Sequence, residues 1–109
     1  MIDQHTTLAG GRWSTLSLAE QLGNIGSEVS RARHWHSKDR QLFENAMVRA
    51  FELLDLTIRD VRWHSRLREL TRAREIVADV WLGGTEYASS LRDLEQYFFH
   101  FALAARRHK

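Results

Sequence analysis

The apolar residues of this chain recur at steps of three and four through four separate stretches, and no proline interrupts any of them. Side chains three and four apart share one face of an α-helix, so each stretch predicts an amphipathic helix with one apolar stripe. Glycine pairs at Gly10-Gly11 and Gly83-Gly84 read as punctuation, whereas Gly23 and Gly26 sit inside a periodic stretch. No segment alternates polar and apolar residues as a half-buried strand would. A chain of 109 residues with 43% apolar content can build one core and not two. The expectation is an all-α domain, an antiparallel up-down four-helix bundle over residues 14–109, preceded by a flexible arm at 1–13.

Ser17-Leu18-Ala19-Glu20 has the form of a capping box and predicts where the first helix starts, with Ser14 as the rival cap. Leu18, Leu22, Ile25, Val29 and Ala32 form its core stripe, to about His36. Beside them runs a line of small residues, Ala19, Gly23, Gly26 and Ser30. Glycine inside a helix costs about 1 kcal/mol against alanine, so this line predicts the close approach of another backbone.

Ser37 or Asp39 can cap the second helix, with Phe43, Ala46, Met47, Ala50, Leu54 and Thr57 inward and Phe51, Leu53 and Ile58 at the flanks. Asp60 can cap the third, with Trp63, Leu67, Leu70, Val77 and Trp81 on the core side, Ala73 and Ile76 near the edge, and Gly83-Gly84 as the stop. The fourth starts between Thr85 and Ser90. It carries Leu91, Leu94, Phe98, Phe101 and Ala105 at bundle spacing. Tyr97, Phe99 and Leu103 lie off that seam, and this surplus predicts a homo-oligomer interface.

Sixteen lysines and arginines against fourteen acids leave a formal charge of only +2, so placement matters more than number. Arg68 and Arg72 share an outer strip with Glu75 and Asp79 and read as solvated. Arg74 falls on the apolar face and needs a partner, Glu52 or Asp55. Ten of the others gather at two ends: Arg31, Arg33, Lys38 and Arg40 at one, and Arg59, Arg62, Arg66, Arg106, Arg107 and Lys109 at the other. Such ends can hold nucleic-acid phosphates by charge. Trp35 could stack on a base or serve as a half-buried helix end.

Other chemistries find less support. There is no cysteine, which removes disulfides and thiolate metal sites. His34 and His36 are the one close histidine pair, but positions i and i+2 of a helix point about 200° apart. A metal would need the helix to end there and Asp39 or His64 to join. Arg31-x4-His36 matches the loose motif of the helical HEPN ribonucleases, on the first helix and with Ala32 after the arginine. No cofactor, signal segment or membrane span is expected, and the cytoplasm is the default location.

The segment NIGSEVSRARHWHSKDRQLFENAMVRAFELLDLTI, residues 24–58, resembles small bacterial four-helix-bundle proteins encoded in intervening sequences of 23S rRNA genes. These are related to the accessory variability proteins of diversity-generating retroelements. Asn24, Ile25, Glu28, Arg31, Lys38, Phe43, Ala46, Glu52 and Leu53 carry the likeness. It implies a pentameric ring with basic surfaces that binds structured nucleic acid, in some members beside a reverse transcriptase. The expectation is therefore a non-enzymatic, oligomeric nucleic-acid-binding accessory protein. The alternatives are a protein-interaction adaptor and a HEPN-type ribonuclease.

Overall fold

The computed structural model describes residues 11–83 and 90–107. Four α-helices account for most of them, α1 (Leu18–Trp35), α2 (Arg40–Arg59), α3 (Leu67–Trp81) and α4 (Leu91–Arg107), and no strand occurs among the described residues. The arm through Gly10, the second half of the Gly83-Gly84 stop and Lys109 lie outside them.

α1, α2 and α4 each start where a side chain satisfies free N–H groups, whereas α3 follows Arg66 with no side-chain cap. The Ser17 hydroxyl accepts the Glu20 N–H at 3.1 Å and the Glu20 carboxylate accepts the Ser17 N–H at 2.9 Å, closing the expected box. Such a cap contributes about 1 kcal/mol. Asp39, not Ser37, caps α2 by accepting the Leu42 N–H at 3.0 Å. Ser90 and Asp93 make a second reciprocal pair at the head of α4, at 3.2 and 3.4 Å. Gly83 adopts φ +70° beyond α3, the left-handed step that closes a helix C-terminus at no steric cost.

The third helix departs from expectation. Asp60 caps as foreseen, but Val61–Arg66 winds as a 3₁₀ helix with a kink at Trp63 (φ −104°, ψ 22°), and the α-helix begins only at Leu67. The tighter winding lets the Trp63 indole N–H reach Gln21 Oε1 at 2.9 Å while Arg62 turns back onto Asp60. Six residues at three per turn rotate the following face by about 120° relative to continuous α-helix. That turn takes Trp63 off the α3 stripe; Leu70 and Val77 are buried as expected, Ala73 and Ile76, expected at the edge, are buried beside them, and Trp63, Leu67 and Trp81 are half-buried.

The core joins the inward stripes: Leu22, Ile25 and Val29 of α1, Phe43, Met47 and Leu54 of α2, Leu70 and Val77 of α3, and Leu94 and Phe98 of α4. α1 packs along both α2 and α4, while α3 lies mainly against α2. The arm reading fails at Trp13. It is 3% exposed in a short 3₁₀ turn, Trp13–Thr15, because its indole belongs to the core. Gln21, fully buried on the core side of α1, donates to the Trp13 carbonyl at 2.9 Å and to Asp60 Oδ2 at 3.2 Å. One glutamine thus ties the entry turn, α1 and the α2–α3 corner together.

Candidate nucleic-acid interface

At one end of the molecule the start of α1, the α2–α3 corner and the end of α4 meet around a cleft of about 830 Å³. Arg62, Trp63, Ser65, Arg66 and Arg106 line it, with Ser17 and Glu20. Arg62 grips Asp60 with two nitrogens, Nε to Oδ1 at 3.0 Å and Nη2 to Oδ2 at 2.7 Å. It also donates to the Leu16 carbonyl at 2.8 Å and lies 4.4 Å from the Trp63 ring centre. These Arg62 hydrogen bonds, foremost, hold the Asp60 carboxyl below its usual range against the opposing effect of burial, and Asp60 raises Arg62 in return. Asp60, two residues behind Arg62, is the acid that holds it.

Arg66 donates to Glu69 at 2.8 Å and sits 5.7 Å from the Phe101 ring centre. Arg106 lines the cleft with Glu20, whose carboxyl is lowered first by the Ser17 N–H, then by the Ser17 hydroxyl, and further by the charge of Arg106. Arg59 and Arg107 are exposed at this end, outside the cleft lining, and form no ion pair with another described residue.

The opposite end holds the turn between α1 and α2 and the head of α4. Arg31 pairs with Glu28 at 2.9 Å, Arg33 with Glu95 at 2.8 Å and Arg40 with Glu44 at 3.0 Å. Glu28 is nearly buried and also accepts Arg49 at 3.3 Å, which links α1 to α2. Glu95 links α1 to α4. The Ser30 hydroxyl, first, and then Arg33 hold its carboxyl below the usual range. Lys38 is exposed without an ion pair among the described residues. Three of the four cations expected to act together here are thus occupied by acids, two of them near in sequence and one sixty-two residues away.

Arg31 is held by Glu28 while His36 lies beyond the helix with its ring edge on Phe43, at 5.1 Å, so no hydrogen bond joins the Arg/His pair. Among the described residues no three His, Asp or Glu side chains converge as a metal site. Trp35 is half-buried against the core with His34 on its edge. Arg74 found Asp55, at 2.7 Å, which raises its pKa, yet its side chain is 46% exposed and not inside the core. No described helix is long and apolar enough to cross a membrane.

The three residues expected to make one oligomer face divide. Tyr97 is half-buried beside Phe98 and Phe101, at 5.4 and 5.9 Å between ring centres. Burial, and secondarily Glu69, raises its phenol. Phe99 is 61% exposed and shares a groove with Leu103 along α1. Residues i and i+2 lie on opposite sides of a helix, so Tyr97 and Phe99 cannot serve a single flat contact.

Comparison with families of known proteins, with curated proteins and with solved structures finds no match to this chain.

Proposed function

We propose that this protein is a nucleic-acid-binding accessory protein, built as an antiparallel up-down four-helix bundle that binds phosphate backbone at the end holding Arg59, Arg62, Arg66, Arg106 and Arg107. The observation that carries this reading is the cleft where Arg62, Arg66 and Arg106 converge. Three guanidiniums line it, two of them paired with Asp60 and Glu69, beside the Glu20 carboxylate, and Arg59 and Arg107 add two more at the same end outside the lining. Exposed ion pairs such as Arg66–Glu69 are worth little in water, so a phosphate, which offers guanidinium a bidentate partner, can displace the carboxylate. Arg62 is different: its fork on Asp60 and its bond to Leu16 make it a fixed part of the wall. Arg59, Arg66, Arg106 and Arg107 carry the contacts.

The resemblance over residues 24–58 makes structured RNA the first ligand to try, and a partner enzyme such as a reverse transcriptase belongs to the same proposal. Fluorescence anisotropy with a labelled RNA hairpin and a DNA duplex at low salt tests it. Binding should weaken steeply as salt rises, with the slope of log K against log salt falling by about 1 for each phosphate contact removed. No binding to either probe at about 50 mM salt refutes the reading. The adaptor alternative is favoured by one observation, the exposure of Phe99, and would leave both probes unbound.

A further inference from the structure

Arg62 lines the cleft, yet it is badly placed to hold a phosphate. Its Nε and Nη2 donate to Asp60 at 3.0 and 2.7 Å, and Nη2 donates again to the Leu16 carbonyl at 2.8 Å. Bidentate recognition of a phosphate uses two neighbouring N–H groups of one guanidinium. Both edges of Arg62 that could supply such a pair include Nη2 or Nε, and those hydrogens are taken. Only Nη1 is left, which can make a single-pronged contact at most.

What Arg62 offers instead is a flat face. Its guanidinium carbon lies over the Trp63 ring, 4.4 Å from the ring centre, so the indole covers one side. The indole is itself fixed by its bond to Gln21 Oε1 at 2.9 Å. The Arg62 side chain is still 37% exposed, and it lines the cleft. The side away from Trp63 is therefore the one turned to the opening. Three hydrogen bonds and a ring behind it make this a rigid cationic plate. Unpaired nucleobases stack on guanidinium planes and aromatic rings of this kind.

The surroundings suit such a ligand. The cleft volume of about 830 Å³ lies within the roughly 300–1,000 Å³ of pockets that enclose a small molecule, and a nucleotide is of that size. Arg66 and Arg106 line the same cleft, and Arg106 forms no ion pair with another described residue. The geometry points to a pocket for one unpaired nucleotide, whose base stacks on the plate of Arg62 and Trp63 and whose phosphate pairs with Arg66 and Arg106. This rests on the nucleic-acid reading and narrows it, from phosphate backbone in general to single-stranded segments such as a hairpin loop or a strand end. A duplex stacks its bases on one another and, away from its ends, has no free base face to give.

Fluorescence anisotropy of the full chain at about 50 mM salt tests it. The probes are a labelled single strand of about twelve nucleotides and the same strand built from abasic residues, which keeps every phosphate and removes every base. The intact strand should bind at least about fivefold tighter than the abasic one. Arg62→Lys keeps the charge but not the plate and should cancel that ratio, with circular dichroism to verify folding. Ser65→Leu, at an exposed position in the cleft lining, obstructs the plate without touching the Asp60 fork and should also cancel it. Equal binding of the two strands by the unaltered chain would overturn the stacking pocket and leave phosphate binding standing. A ratio that survives Ser65→Leu, or a folded Arg62→Lys, would overturn the pocket as well. Failure to bind either strand, the hairpin or the duplex would sink the pocket and the nucleic-acid reading together.

Discussion

The two ends of the molecule share an arginine-rich composition and differ in what the arginines face. Where α1 ends, Arg31, Arg33 and Arg40 each hold a glutamate, and two of those glutamates brace α1 against its neighbours. Where α1 begins, Asp60 holds Arg62 in a fixed fork, and Arg59, Arg106 and Arg107 have no ion pair with a described residue. Cation number alone would rank the ends as similar. The distribution of carboxylates makes the first a set of braces and leaves the second with surplus positive charge. A basic cluster in a sequence becomes a basic surface only where the acids are too few or already committed.

The largest effect should come from the brace of the cleft end. Asp60→Ala removes the partner of Arg62, the cap of the 3₁₀ segment and one bond of Gln21. The Asp60 side chain is 8% exposed but that of Arg62 is 37% exposed. Water recovers part of the loss, and the expected cost is about 2 kcal/mol and not the 3–5 of a fully buried pair. Urea denaturation reads it. The comparison variant at the other end, Glu44→Ala, should cost less than about 0.5 kcal/mol, because the Arg40–Glu44 pair is largely solvated.

Next comes the functional contrast. Arg106→Glu with Arg107→Glu should weaken RNA or DNA binding at least about tenfold at low salt. Lys38→Glu at the other end should change it by about twofold or less. Equal losses from both ends in the anisotropy titration would erase the distinction drawn between them.

A smaller effect is expected from acid. The Asp60 carboxyl titrates below its ordinary value of 3.8 in the folded chain. Its contribution is complete above that value and is lost as pH falls through the lower, folded-state value. Stability should therefore drop on acidification below about pH 4, and Asp60→Asn should flatten that limb. An unchanged acid limb in the variant would show that other carboxylates govern it. Glu95, lowered by Ser30 and Arg33, acts with the same sign at the opposite end.

The smallest effect concerns Trp13, beside the cleft end. Its indole N–H is buried without a partner among the described residues. Trp13→Phe keeps most of the apolar contact and removes that donor, so thermal melting should shift by no more than the equivalent of about 1 kcal/mol in either direction. A loss above about 3 kcal/mol would mean that indole packing dominates.

Much of the fold was legible because its instructions are local. The Ser17 box, the Asp39 and Asp60 caps and the stripes of α1 and α2 depend on residues within four positions of one another, the range of a helical hydrogen bond. Asp55 was one of two carboxylates that the sequence offered Arg74, although the pair lies half-exposed and not within the apolar face. The 3₁₀ segment escaped notice because its cause is distant: Trp63 turns to meet Gln21, forty-two residues earlier. Trp13 was lost to the arm for the same reason, since only the assembled core shows what covers an indole. The candidate site was legible as a list of arginines and not as a surface.

Sequence alone determined four amphipathic helices, the candidate caps Ser17, Asp39 and Asp60, the first two each beside one rival, and the small-residue line on α1, because periodicity and capping are properties of neighbouring residues. Tertiary structure decided which arginines are spent on Glu28, Glu95 and Asp60, that Tyr97 and Phe99 face different ways, and that Gly23 lies over open space while Gly26 meets Phe98. Those outcomes depend on which residues from remote parts of the chain arrive at the same place, and charge and contact act over ångströms in space regardless of separation along the backbone.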